Sequence, residues 1–284
     1  MQLKILKWLH RFFLKTSIKF KSIADRLKKD IYFYQLEERD SDIYIVTFPK
    51  SGTTWVQVIV YNLLTEGNMD FEHIYDVSPW LSNQAYIGKS PETVNQLRSP
   101  RFFKSHDKYE RFNRDFRNKI IYVYRDGKDV AASYFHHNKN YLDQDLTFDK
   151  NFENHFSDLN KPLNWFNYNR EWMENKHGFN ILYVSYEDLK QNFTPTVHMI
   201  AGFLGVELTP EILKRTKKYA SFEYMKEHES KFGEVASKKK ELVFDQFIRK
   251  GESGTGESYF SEEQKKVFSE NFDHHLKGVW PKRK

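Results

Sequence analysis

Residues 43–48, Ile-Tyr-Ile-Val-Thr-Phe, run straight into Pro49-Lys50-Ser51-Gly52-Thr53-Thr54-Trp55, and no other stretch restricts the fold as much. A short run of β-branched and aromatic residues reads as a buried strand. Pro49 to Gly52 reads as a turn. From Thr53 onward, Trp55, Val58, Ile59 and Leu63 recur at helical spacing, with Gly67 as a stop. A strand that turns into a helix places the unpartnered first amides of that helix, and the positive end of its dipole, at the strand's carboxyl end. That is a phosphate cradle. Lys50 adds charge, Gly52 lets the backbone approach an anion, and Thr53 and Thr54 add hydroxyls. The order differs from G-x-x-x-x-G-K-[ST], because the lysine precedes the glycine and the first glycine is missing.

The same unit recurs. Residues 120–124, Ile-Ile-Tyr-Val-Tyr, form a second strand, with a helix from about Asp129. Residues 180–184, Asn-Ile-Leu-Tyr-Val, form a third, followed by a helix from about Pro195 to Leu204 that stops at Gly205. Residues 101–104 form a short fourth strand ending at Ser105-His106. Strands alternating with helices predict a mostly parallel sheet covered on both faces, with ligands at the carboxyl ends of its strands. The 284 residues contain no internal repeat and no long linker, so a single α/β domain is expected. Lys226 to Gly256 is polar and reads as a long mobile loop.

Charge sets off the N-terminal segment. Lys4, Lys7, Arg11, Lys15, Lys19 and Lys21 face no acid within residues 1–22 and account for the whole net charge of +6. The rest of the chain is balanced, which argues against a nucleic-acid-binding body. Four of these cations recur at helical spacing, with Ile5, Trp8, Leu9, Phe12 and Phe13 on the remaining circumference. Lys7 and Arg11 interrupt every apolar run, so neither a spanning helix nor a cleaved leader is expected. The segment packs on its own domain, lies on an anionic membrane surface, or is a disordered tail. We therefore divide the chain into a basic amphipathic segment, 1–29, and a domain, 30–284. With no cysteine, disulfides and thiolate chemistry are excluded, which fits a reducing, cytoplasmic location, with contact at the inner face of a membrane as its variant.

A second polar cluster follows the second strand: Tyr124-Arg125-Asp126-Gly127-Lys128-Asp129, with Ser133 inside the next helix. Arg125 leaves a strand end, where its fork of donors can reach a phosphate.

Together these residues resemble the cytosolic sulfotransferase family. Lys50-Ser51-Gly52-Thr53-Thr54-Trp55 looks like its 5′-phosphosulfate loop, and Arg125 with Ser133 its 3′-phosphate motif. Phe247-Ile248-Arg249-Lys250-Gly251, with Gly254, looks like its C-terminal signature. Phe102-Phe103-Lys104-Ser105-His106 is similar to the strand end that carries its catalytic histidine, and Tyr186 to Lys190 and Ser221-Phe222 also have counterparts. The resemblance implies a P-loop-kinase-like sulfotransferase fold and 3′-phosphoadenosine 5′-phosphosulfate as co-substrate, with no metal. It implies that Lys50 neutralises the leaving phosphate while the backbone of Ser51, Gly52, Thr53 and Thr54 holds the 5′-phosphate. Arg125, Ser133, Arg249, Lys250 and Gly251 would bind the 3′-phosphate. Trp55 and Phe222 would sandwich adenine, and Tyr186 would meet the base edge. His106 would be the general base, with Lys104 beside the transferred group. The acceptor would be a hydroxyl, or secondarily an amine, of a small molecule.

Some positions depart from the family pattern. Asp107-Lys108 follow the histidine where Leu-Pro is common, Thr255-Gly256 replace Asp-Trp, and Ala220 stands where a Thr often contacts the nucleotide. No dimer motif is recognisable, so the oligomeric state is open. Tyr75, Trp80, Tyr86, Ile87, Tyr141, Leu142 and Trp165 offer an aromatic acceptor surface, suited to a sterol or phenol rather than a polyanionic sugar chain. The pairs His136-His137 and His274-His275 read as solvated surface histidines, with His136 of interest for its closeness to Ser133. Two other readings share the phosphate loop: a magnesium-dependent small-molecule kinase, and a non-enzymatic membrane-associated nucleotide-binding protein.

Overall fold

The structure is a computed structural model that describes residues 2–15, 21–82, 90–112, 115–233 and 247–281. Helices α1 (Gln2–Lys15) and α2 (Lys21–Gln35) precede strand β1 (Ile43–Thr47) and helix α3 (Thr53–Leu64). Strands β2 (Phe102–Ser105) and β3 (Lys119–Tyr124) are followed by α4 (Gly127–Tyr141) and α5 (Trp165–Glu174). Then come β4 (Ile181–Ser185), α6 (Tyr186–Gln191), α7 (Phe193–Leu204), α8 (Pro210–Tyr219), α9 (Phe222–Glu227) and α10 (Glu262–His275). The strands lie in the order β2-β1-β3-β4, and every pairing is parallel.

Alternation along the strands explains the layers. Ile43 and Ile45 of β1, with Ile121 and Val123 of β3, pack under α3 and α7. Val46, Ile120 and Tyr122 face the other way, onto Val130 and Ala131 of α4 and Trp165, Phe166 and Trp172 of α5. Both faces are therefore covered, and each fully buried aliphatic side chain contributes about 1.5–3 kcal/mol. In register, Thr47 lies beside Val123, and Val123 beside Val184, so the strands deliver their following turns to one edge.

Local chemistry moves several boundaries. Asp126 accepts from the amides of Lys128 and Asp129, so α4 begins at Gly127, two residues before the expected start. The Thr65 hydroxyl donates to Tyr61 O and ends α3 before Gly67. The loop expected from Lys226 starts later. Lys226 lies in α9, a 3₁₀ turn follows at Glu229–Lys231, and Phe232 is buried against Phe71. Polar composition hid that one buried phenylalanine. Residues 234–246 of that loop lie outside the described residues.

At the other end, α1 packs on α2. The second half of α2 is anchored by Tyr32, buried among Leu81, Val94 and Phe103. The division at residue 30 falls inside this helix.

Candidate active site

The four strand ends meet at one cavity of about 1120 Å³. Every residue singled out for catalysis or nucleotide binding lines it except Ser51. Ser51 is buried behind the turn, and its amide donates to Phe48 O at 3.3 Å.

The β1–α3 turn has an unusual backbone. Lys50 and Gly52 both have positive φ, 69° and 102°. A Cβ on Gly52 would sit 2.6 Å from the Tyr186 ring, so close approach as well as backbone conformation demands glycine there. Gly52 is the N-cap of α3 and supplies no side-chain cap, which leaves the first-turn amides for a ligand.

Arg125 joins three parts of the cavity. Its guanidinium donates to Lys50 O at 3.3 Å and Glu252 O at 2.8 Å, and lies 4.2 Å from the Tyr186 ring centre. Its Nε is buried without a hydrogen-bond partner among the described residues. The C-terminal signature is docked by a residue the sequence reading passed over. Asp129 accepts from Gly254 N at 2.7 Å and Gly256 N at 2.8 Å. A Cβ at Gly256 would lie 2.3 Å from Lys128 O, so glycine at this departure from the family pattern is what lets the loop close on α4. The i,i+4 spacing of Asp129 from Arg125 was the only sequence signal for this role. Lys190 adds a 2.7 Å bond to Gly251 O, and Gly251 packs so closely that a Cβ would meet the Phe222 ring at 2.6 Å.

Trp55 donates through its indole nitrogen to Ala220 O at 2.8 Å, so position 220 still serves through its backbone. Phe222 is 41% exposed on the same cavity wall, an apolar ring with room for a planar partner. Ser133, Arg249 and Lys250 complete this half.

His106 sits at the end of β2. Its Nδ1 lies 2.8 Å from Thr47 O. A carbonyl only accepts, so Nδ1 carries the proton and Nε2 keeps the lone pair. Burial, with the charge of Lys104, pushes the imidazole down to about 3, the bond to Thr47 opposing and Lys50 adding to the shift. The ring is therefore neutral near pH 7. Lys104 donates to Tyr75 OH at 2.8 Å and stands 4.2 Å over Trp80, whose ring in turn meets His106 edge-on at 5.1 Å. No sequence signal marked Thr47, because its carbonyl does the work.

The acceptor side is only partly as expected. Tyr75, Trp80, Tyr141 and Leu142 line the cavity. Trp165 does not: it is 1% exposed and packs on Phe268 and Trp280 in the core under α4. Tyr86 and Ile87 lie outside the described residues. His136 and His137 are not solvated surface groups. His136 shares a 2.8 Å hydrogen bond with Tyr259 OH. His137 lines the cavity, and burial, then the charges of Lys50 and Lys104 and the nearby His106, push it down to about 2. Adjacent residues on a helix diverge, so one histidine of the pair was bound to face inward.

Known proteins agree with this architecture. The family model of the sulfotransferase domain matches residues 40–279. An amine sulfotransferase of Oryctolagus cuniculus is 32% identical over 258 residues, covering 86% of this chain and 85% of the relative. Human sulfotransferase 2A1 is 32% identical over 244 residues, 82% of this chain and 84% of its own. Among solved structures, retinol dehydratase with androsterone and inactive cofactor PAP superimposes with a TM-score of 0.74 at 22% identity, over 90% of this chain and 87% of that one. Mouse sulfotransferase SULT7A1 with PAP gives a TM-score of 0.64 at 24% identity, over 85% and 86%. These two likenesses establish the fold, and the extent of the sequence match establishes the kinship: this chain belongs to the sulfotransferase family.

Proposed function

We propose that the protein transfers a sulfonate group from 3′-phosphoadenosine 5′-phosphosulfate to a hydroxyl of a small hydrophobic acceptor, such as a sterol or phenol. One observation carries this reading: the nucleotide-type residues and His106 line the same cavity. The residues fit the co-substrate. The buried Arg125 Nε, without a hydrogen-bond partner among the described residues, is a donor for a phosphate oxygen, and Gly52 and Gly251 let their backbones pack against the Tyr186 and Phe222 rings that line the cavity. Androsterone in one structural neighbour and retinol in a related complex support an apolar alcohol as acceptor.

When bound, the co-substrate supplies the sulfonate group and an adenosine bisphosphate as leaving group. The amides of Gly52, Thr53 and Thr54 hold the 5′-phosphate. Lys50 would offset charge on the leaving oxygen, and Lys104 would stand beside the transferred group. Arg125, Ser133, Arg249, Lys250 and the Gly251 backbone take the 3′-phosphate. Trp55 and Phe222 enclose the base, with Tyr186 at its edge. His106 receives the acceptor's hydroxyl proton at Nε2, while its Nδ1–H bond to Thr47 fixes the ring. Fixed cations and amides aimed at the leaving phosphate lower the barrier most where water is excluded.

Catalysis is assigned to residues 30–284, with 1–29 accessory, and the absence of cysteine suits the cytoplasm as location. Incubating the chain with radiolabelled co-substrate and a panel of sterols, phenols, amines and sugars tests the reading. Label in an apolar alcohol or phenol is expected. Label only in a polyanionic sugar, or in no acceptor, would overturn it.

A further inference from the structure

We propose that α1 is an interfacial helix that seats the protein on an anionic lipid bilayer. Ile5 and Trp8 are 51% and 63% exposed and lie one helical turn apart on a single face. Lys4 and Lys7, with the same spacing, are exposed beside them. Large apolar side chains and cations thus share one surface, on a segment whose residues 1–22 carry six basic side chains and no acid of their own. Leu142 and Phe222 are also exposed, but they line the catalytic cavity and are accounted for there.

The fold presents this helix rather than trailing it. α1 rests on α2, and α2 is fastened through Tyr32 to Leu81, Val94 and Phe103. Leu81 and Phe103 are chain neighbours of Trp80 and Lys104, so the helical pair is anchored to the acceptor half of the site. Lys7 lies within electrostatic reach of Glu92 in the short helix Pro91–Asn95.

The chemistry selects the occupant. A second copy of α1 would bring four more cations, Lys4, Lys7, Arg11 and Lys15, against the first four. A polyanion in solution offers charge but no apolar layer for Ile5 and Trp8. An anionic bilayer offers both: headgroups for the lysines and an acyl boundary for the apolar face. A lipid-dissolved acceptor would then be delivered next to the cavity, a consequence that alone depends on the acceptor being apolar.

The full chain is sedimented with vesicles of phosphatidylcholine alone or with phosphatidylserine, at low and high salt. It should pellet with the anionic vesicles at low salt and be released at high salt. Lys4→Glu with Lys7→Glu should weaken binding about thirtyfold or more, from about fivefold per basic residue near an anionic surface. Ile5→Ser with Trp8→Ser should weaken it about tenfold or more. Turnover on a water-soluble acceptor should be unchanged in both variants, which shows them folded. Equal pelleting with neutral vesicles, or none with either, would overturn the proposal. So would binding indifferent to Ile5 and Trp8, which would leave only a non-specific polycation. Self-association that disappears in Ile5→Ser with Trp8→Ser, without lipid binding, would identify a second copy instead. Loss of turnover in these variants would make α1 part of the catalytic domain's own fold and refute the assignment.

Discussion

The two halves of the cavity are built differently. The half proposed for the nucleotide comes from short contiguous stretches: the turns at Lys50 to Trp55 and at Arg125, which follow strands, and the loop from Arg249 to Glu252. Backbone groups carry much of its geometry. Lys50 O and Glu252 O accept from Arg125, and Gly254 N and Gly256 N donate to Asp129. The acceptor half comes from side chains far apart in the chain, such as Tyr75, Trp80, His137 and Leu142. A backbone cradle tolerates few substitutions because it depends on φ and on absent Cβ atoms, as at Gly52. A wall of side chains can be rebuilt one residue at a time. His106 stands at the junction, fixed by the backbone of β1 and touching Trp80 of the acceptor wall.

The sharpest way to break this division is at the junction. His106→Ala should cut turnover about a hundredfold or more while nucleotide affinity, read by titration calorimetry, stays near that of the parent. Turnover close to the parent's would remove His106 from the base role.

Within the nucleotide half, Arg249→Ala should weaken a 3′-phosphorylated nucleotide about tenfold or more, since a charge-assisted contact is worth ~1.5–3 kcal/mol. Its 3′-dephospho analogue should be spared. Equal weakening of both would show that Arg249 does not read that phosphate.

Asp129→Asn should have a smaller effect. The amide oxygen can keep one of the two loop amides, so nucleotide binding should fall about fivefold, roughly one hydrogen bond's worth. Faster hydrogen exchange at Gly254 and Gly256 should accompany it. Unchanged exchange would mean that the loop is held by other contacts.

The mildest change is expected across the acceptor wall. His137→Phe should alter acceptor KM a few-fold and leave nucleotide affinity unchanged. It also carries a pH signature. His106 and His137 are held neutral, with values lowered to about 3 and about 2. The unfolded chain takes up their protons near pH 6.5, before the folded one does, so stability is intact above that value and falls as pH drops below it. Removing His137 should make this acid loss shallower, as read by urea midpoints from pH 7 to 4. Identical profiles would show that His137 is not buried neutral.

The sequence alone determined the parallel sheet, the order of its βα units and nearly all the residues that line the cavity around the β1–α3 turn. Each of those depends on residues within one turn of each other: a β-branched run, a capping or left-handed glycine, a cation at a strand end. Gly205, at φ 78° behind α7, and Gly52 show how a single position can state its conformation locally. What the sequence could not state was pairing across distance. Asp129 docks a loop 125 residues away, and Thr47 orients His106 from a strand 59 residues earlier through a carbonyl that every residue possesses. Trp165 and His137 exchanged expected places for the same reason. Burial depends on which face of a helix meets the sheet and which meets the cavity, and only the packing of α4 and α5 against β3 decided that.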